Sequence, residues 1–431
     1  MTTIEAALGH ERGTPGYRRL GAALWFGGLA TFVLVYCVQA LLPTLAAEFG
    51  VSSTVSSFAL SATTGTLALA IVPLSAVAES WGRARVMTWA LAASAVLGVL
   101  APLAPTFGVL VGIRALQGVA LAALPALLMA HVTREVAPRF IGAAVGLLIA
   151  GNTVGGLSGR LVAAAVADVA GWRVALAVVG ALSLACTVAF RLLLPPTVTP
   201  DPPPVRLREL PLRTHLRDPG LACLFGIGFL LMSVFVTVYN FLSFRLLAPP
   251  FGLPAALVGL MFLGYLAGTG ASTAAGRLGD RHGRRRVLWA AVLTALVGAG
   301  VTVPDSLPAV LVGLLLVTVG FFGAHSVASS WVGRRSVLLP AGSPGLASSL
   351  YLFAYYAGSS IGGAGGGVAY DLGGWNALVA YVGVLLLAAF ALALRLRRVP
   401  TREGAVVVGS APVPDLVPAL TPVPPVRAAG R

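Results

Sequence analysis

The chain of 431 residues is 58% hydrophobic and only 10% charged, with 52 glycines and 29 prolines. That is too few charges for an ordinary soluble protein, which carries about 25%, and too much apolar content for a chain that stays unfolded. The 29 basic residues, all arginine, outnumber 14 carboxylates for a net charge of +15. On a soluble chain such an excess would point to nucleic acid. Here the arginines lie in short loops between apolar runs, and no nucleic-acid partner is expected.

In chain order, Met1 to Tyr17 is polar and lacks the short apolar stretch of a cleaved signal peptide. Uncharged runs long enough to cross a bilayer follow at 20–43, 57–78, 86–104, 106–130, 141–167 and 173–194, then at 220–244, 254–276, 287–303, 307–331, 345–370 and 375–396. The expected fold is therefore an all-α integral membrane protein of twelve transmembrane helices. Segment 195–219, rich in proline and arginine, is the one long polar interruption and divides the chain into six plus six. The expected domains are an N-terminal segment 1–19, a bundle 20–194, a linker 195–219, a second bundle 220–396 and a disordered tail 397–431. Twelve crossings place both ends on one side. The segments on that side hold 25 arginines, against only Arg173 and Arg245 on the other. The positive-inside rule predicts a multi-pass plasma-membrane protein with cytoplasmic termini.

The halves repeat. Glu79-Ser-Trp-Gly82-Arg83-Ala-Arg85 after the second span matches Asp280-Arg281-His-Gly283-Arg284-Arg-Arg286 after the eighth, at an offset of 201 residues. Gly151-Asn152-Thr-Val-Gly155-Gly156 in span 5 answers Gly358-Ser-Ser-Ile-Gly362-Gly363 in span 11, and Gly171-Trp172-Arg173 answers Gly374-Trp375-Asn376. Two related bundles around a midplane cavity are a transporter architecture.

The loop GRLGDRHGRRR, from Gly276 to Arg286, resembles the motif between helices 2 and 3, and 8 and 9, of the major facilitator superfamily. Leu110 to Gly118, which contains Arg114 and Gln117, resembles the family's LxxxRxxQG motif. The span 5 stretch GNTVGGLSGR resembles the glycine-rich helix 5 motif of its efflux members, and the branch most resembled is that of bacterial efflux permeases and drug:proton antiporters. The chain departs from these patterns at Ser75, Glu79 and Asn152. The resemblance implies a cytoplasmic gate at Glu79, Gly82, Arg83, Gly276, Asp280, Arg281, Gly283 and Arg284, in which the acid latches opposite bundles. A solvated anchor that only fixes topology is the alternative. It also links Arg114 to proton coupling, and it implies that spans 1, 4, 7 and 10 line the cavity.

Arg114 lies within span 4, where a charge must be paired or face water, and no carboxylate occupies the middle of any span. It is expected to face the cavity and to use carbonyls, water or substrate, or else to snorkel outward. With Arg160 it favours an anionic or polar substrate. His325 is the one histidine within a span and a candidate proton carrier, although a histidine bonded to a carbonyl fits the sequence equally. Tyr36, Gln39, Gln117, Asn152, Asn240, Tyr355 and Tyr356 complete the expected cavity. Gly276 is expected to allow close backbone approach. Gly151, Gly155, Gly156 and Gly159, with Gly358, Gly362 and Gly363, are expected to pack helices closely.

The leading expectation is a monomeric secondary transporter in the lipid bilayer, exporting a small molecule, with proton influx as its driving reaction. Uptake of, or a facilitator for, a small organic anion is the alternative. The sequence offers no nucleophile–base pair for an enzyme, no ligand spacing for a metal, and no phosphate-binding loop for a primary pump. No cofactor is expected. A scaffold would not need the duplicated latch.

Overall fold

The computed structural model describes residues 9–198, 210–340 and 342–400. Among them the chain is helical, with a single backbone bridge between His10 and Val136 and no strand. The helices are α1 (Pro15–Tyr36), α2 (Leu42–Phe49), α3 (Ser53–Trp81), α4 (Arg83–Leu100), α5 (Phe107–Leu121), α6 (Leu124–Glu135), α7 (Ile141–Leu193), α8 (Leu212–Arg217), α9 (Pro219–Leu247), α10 (Ala255–Leu260), α11 (Tyr265–His282), α12 (Arg284–Val301), α13 (Leu307–Val337) and α14 (Pro344–Arg395).

Local chemistry sets the helix starts. Thr14, Ser52, Thr106, Asp218 and Ser343 each accept a hydrogen bond from a first-turn amide, at the starts of α1, α3, α5, α9 and α14. Glycine sets the sharpest turns. Gly82 joins α3 to α4 at φ 87°, ψ 123°, and Gly283 joins α11 to α12 at φ 86°, ψ 133°. These two glycines, 201 residues apart, therefore share one backbone conformation, and its positive φ favours a residue without Cβ.

Nine helical stretches among the described residues are long and apolar enough to cross a membrane. Two of them, of 56 and 52 residues, are broken at glycine: Gly171 (φ 81°) interrupts α7, and Gly373 with Gly374 interrupts α14. Helix α12 lies outside the nine; its first turn is Arg284-Arg285-Arg286. Several helices run a turn or so beyond the predicted apolar runs at their arginine-rich ends, α3 to Trp81, α11 to His282 and α13 to Val337, whereas α4 and α12 stop short at Leu100 and Val301. The predicted linker holds the short helix α8, and the predicted tail lies outside the described residues from 401 onward.

The helix ends gather at two faces. One carries the turns at 50–52, 104–106, 171, 248–254, 302–306 and 373–374 and is poor in arginine. The other carries the start of α1, Gly82, 136–140, Gly283 and 338–343 and is rich in arginine. Packing repeats between the halves: α1 lies along α7, α9 lies along α14, and α3 meets α14 between the halves.

Candidate functional site

The site is built at a break in α1. After Tyr36 the helix tightens into a 3₁₀ turn, Cys37–Leu41, before α2 resumes, so the last carbonyls of α1 lack their usual partners. Arg114 of α5, 1% exposed, fills that role. Its Nη1 donates to Leu34 O at 2.8 Å, its Nη2 to Val35 O at 2.8 Å and its Nε to Ala59 O of α3 at 3.1 Å. Nη1 also donates to Gln117 Oε1 at 2.5 Å, and Gln117 Nε2 donates to Ser94 O of α4 at 3.0 Å. A guanidinium facing the negative end of a helix dipole is favoured electrostatically as well. Of the partners expected for Arg114, carbonyls are the ones it meets in this conformation, and both Arg114 and Gln117 are buried within the first half.

On the far side of the same break, Arg160 of α7 is 2% exposed. Its Nε donates to Gln39 Oε1 at 2.6 Å, its Nη1 to Gly156 O at 2.6 Å and its Nη2 to the Tyr265 hydroxyl at 3.2 Å. The guanidinium lies 4.4 Å from the ring centres of both Tyr36 and Tyr265, an arrangement in which the ring faces attract the cation. Gln39 Nε2 in turn donates to Asn240 Oδ1 of α9 at 2.7 Å. The chain Tyr265–Arg160–Gln39–Asn240 thus crosses twice between the halves. Asn240 Nδ2 and Ser61 Oγ are buried there without partners, both lining the gap beside Gly363. Asp168 is exposed, away from this network.

His325 belongs to an aromatic cluster of the second half. Its Nδ1 lies 2.9 Å from the Tyr351 hydroxyl, its ring stacks on Phe321 at 5.8 Å, and Tyr355 stands 4.9 Å away. Tyr355 meets Tyr356 edge-on at 5.2 Å, and Tyr356 is buried. Phe235 joins this cluster to Tyr265, so the aromatic surface runs without a gap from His325 to Arg160. Asn152 lies apart from it, against Gly28 of α1, with Oδ1 buried and unpartnered.

The halves also meet toward the arginine-poor face. Asp371 of α14 accepts hydrogen bonds at the start of α3, from Ser53 Oγ at 2.5 Å, Thr54 Oγ1 at 2.5 Å and the Thr54 amide at 3.2 Å. Ser360 Oγ donates to Ser61 O at 2.8 Å. Sequence reasoning missed Tyr265, Tyr351 and Asp371. A carboxylate at the end of a span was a visible signal for Asp371, but its partner lies 317 positions away.

At the arginine-rich face, Asp280 pairs with Arg284 of its own segment at 3.4 Å. Arg281 is exposed, and Gly82 and Gly283 form the two equivalent turns. The side chain of Glu79 lies outside the described residues, and Arg83 is partly buried. Gly276 has no atom within 4 Å of the place its Cβ would take, so the expected close approach is not made in this conformation. Of the glycines of α7 and α14, most stand close against the neighbouring helix. A Cβ on Gly151, Gly155 or Gly159 would fall 2.3, 2.5 or 2.5 Å from the carbonyl oxygen of Trp25, Leu29 or Val33. Gly358 meets Phe229 O at 2.1 Å and Gly362 the Ser233 Cβ at 2.2 Å. Gly156 and Gly363 are less tight, with nearest atoms at 3.4 Å (Arg160 Nη1) and 3.2 Å (Val236 Cγ1).

The profile described as "Major Facilitator Superfamily" matches residues 24–363 and 241–424. The chain belongs to the major facilitator superfamily. It is 40% identical over 390 residues to the inner membrane transport protein YnfM of Escherichia coli (strain K12), covering 90% of this chain and 93% of that one. It is 38% identical over 390 residues to the MFS-type transporter YybF of Bacillus subtilis (strain 168), covering 90% and 96%. Among solved structures, a bacterial homologue of the human lysosomal transporter Spinster superposes with a TM-score of 0.74 at 15% identity, over 90% of this chain and 98% of that one. The human organic anion transporter MFSD10 gives 0.66 at 19% identity, over 88% and 100%. At these identities the likeness is one of fold. This superfamily member is a multi-pass membrane transporter of small molecules.

Proposed function

We propose that this chain exports a small molecule by alternating access, with proton influx as the driving reaction. The carrying observation is the Tyr265–Arg160–Gln39–Asn240 chain, a buried polar junction between two related halves. A rocking carrier needs interhalf contacts that hold one state and can be exchanged for others, and hydrogen bonds and ring contacts of this kind meet that need. The nine apolar stretches, two of them broken at glycine, together with α12, are read as twelve crossings in two six-helix bundles. By its arginine count the arginine-rich face is cytoplasmic, with both termini there. The interhalf bonds then lie toward the outside, and this conformation is read as open to the cytoplasm. His325, with Tyr351 and Tyr355 beside it, is the residue best placed to carry a proton. The segments around Gly82 and Gly283 form the cytoplasmic latch of the opposite state. The protein acts as a monomer and performs no covalent chemistry on its substrate.

Uptake or facilitated passage of a small organic anion is the second reading, and one observation favours it. With Arg114 held by carbonyls, Arg160 is the cation that opening of the outer face would expose, which would offer an anion its site from outside.

The test is solute movement in inverted membrane vesicles under an imposed proton gradient, using labelled organic anions, cations and neutral drugs. Gradient-driven accumulation that is lost in His325→Gln supports proton-coupled export. Counterflow of an anion indifferent to the gradient replaces it with the second reading.

A further inference from the structure

The second half carries an apolar crevice that reaches its arginine-rich end. It encloses about 510 Å³ between α11, α12 and α13. Its floor is Gly320, Gly323 and Ala275, all buried, and its rim includes Leu278 and Ala290, both exposed. At the arginine-rich end stand His282 and Arg286, exposed and without an ion pair among the described residues, while Asp280, the carboxylate nearest in sequence, is engaged by Arg284. Trp289 also lines the crevice, and its indole Nε1 is buried without a hydrogen-bond partner.

The internal repeat supplies a control. Leu110-Val111-Gly112 and Leu311-Val312-Gly313 stand 201 residues apart, the same offset as Gly82 and Gly283. In that register Val119 and Ala122 occupy the places of Gly320 and Gly323, and Trp89, 70% exposed, occupies that of Ala290. At these positions the first half carries the larger side chains, whereas at the places of Trp289 and Val319 it carries the smaller Thr88 and Gly118, and Arg85 keeps the place of Arg286.

We propose that this crevice holds one acyl chain of an anionic phospholipid, with its phosphate on Arg286 and His282. Small residues along a membrane helix leave a channel of chain width. The Arg286 guanidinium, with the His282 imidazole as a hydrogen-bonding neighbour, matches a headgroup phosphate where the crevice reaches the arginine-rich end, in the manner of basic pockets between membrane helices. A free phosphate would use these polar groups alone and leave the apolar channel unexplained. The site is separate from the central polar junction and does not depend on which solute is carried.

The test uses the full chain, purified in detergent, stripped of lipid and titrated with phosphatidylglycerol, with phosphatidylcholine of the same chains, or with glycerol phosphate. Bound lipid is counted by native mass spectrometry. Wild type is expected to retain phosphatidylglycerol about five-fold better than phosphatidylcholine, the scale of one basic group at a membrane surface. Arg286→Gln should abolish that preference while chain binding persists. Ala290→Trp, which installs the first-half residue at an exposed position, should reduce retention of both lipids. Retention unchanged in both variants overturns the site, and so does displacement of phosphatidylglycerol by glycerol phosphate at equal concentration, which would mean a surface anion site only.

Discussion

Gln39 and Asn240, 201 residues apart in sequence, are joined by a direct 2.7 Å hydrogen bond from Gln39 Nε2 to Asn240 Oδ1. That separation equals the offset between Gly82 and Gly283, so the bond joins residues that correspond in that repeat register. Both side chains are fully buried. Asn240→Ala leaves Gln39 Nε2 without its acceptor, and a buried unpaired donor costs about 1–3 kcal/mol. That cost falls on the conformation in which the halves touch here. Spin labels at Val169→Cys and Leu372→Cys, 85% and 82% exposed at the arginine-poor face of each half, should report the change. We expect a longer-distance population in Asn240→Ala that is minor in the parent. An unchanged distance distribution would remove this bond from the set that holds the face closed.

Arg114 and Arg160 are two buried arginines with separable roles. Arg114 acts within one half, holding the broken end of α1 to α3 and α5 through three carbonyls and Gln117. Its replacement by alanine removes the guanidinium's bonds to these carbonyls and leaves Gln117 Oε1 a buried acceptor without its donor, at about 1–3 kcal/mol for that group. We expect Arg114→Ala to lower Tm by many degrees and to reduce the amount of folded protein. Arg114→Lys should recover little, because an ammonium cannot reproduce the planar fork that reaches Leu34, Val35 and Ala59 together. Arg160→Lys should keep the wild-type Tm within a few degrees and lose transport. Equal thermal losses in Arg114→Lys and Arg160→Lys would contradict the division.

Asp371 secures the arginine-poor face by acting as a cap in trans. Its carboxylate accepts from the amide and hydroxyl of Thr54 at the positive end of α3, a helix of the other half. Removing a capping carboxylate costs about 0.5–2 kcal/mol. In Asp371→Ala the amides of the first turn of α3 should therefore exchange with deuterium about 2- to 30-fold faster, while those of α5, which Thr106 caps on its own, stay unchanged. Protection of Thr54 that survives the substitution would mean that Ser52 alone holds the turn.

The apolar runs and the duplicated glycine turns were legible because each is written locally, as a hydropathy window or a residue with φ near +86°. The glycines of α7 and α14 were legible for the same reason, since a four-residue spacing puts them on one helix face. Arg114 was legible as a charge within a span that needs carbonyls, water or substrate, but which carbonyls it meets was not. Its acceptors are carbonyls of α1 about 80 positions away, freed by a tightened turn for which the sequence carries no pattern. Asp371 and Tyr265 escaped because their meaning lies in partners on the opposite half. Gln39 and Asn240 were each visible as polar residues in apolar spans. Their pairing needed the repeat offset to be applied to spans 1 and 7, where no glycine marks it.

The glycines make the last prediction, because their surroundings differ so sharply. Gly155 sits with its Cβ position 2.5 Å from Leu29 O, inside the α1–α7 contact, whereas Gly276 faces open space. Gly155→Leu must force the two backbones apart, a clash that neither helix can relieve by rotating a side chain, and overpacking of this kind costs about 1–3 kcal/mol or more. We expect a lowered Tm and little folded protein. Gly276→Ala meets nothing and replaces the weaker helix former by the stronger, a gain of up to about 1 kcal/mol, so its Tm should match or exceed that of wild type. If the Gly276–Arg286 segment seats against the other half only in the opposite state, the same methyl must slow transport in vesicles while leaving Tm high. A Gly276→Ala protein that is both stable and fully active would show that no helix comes close to this position at any point of the cycle.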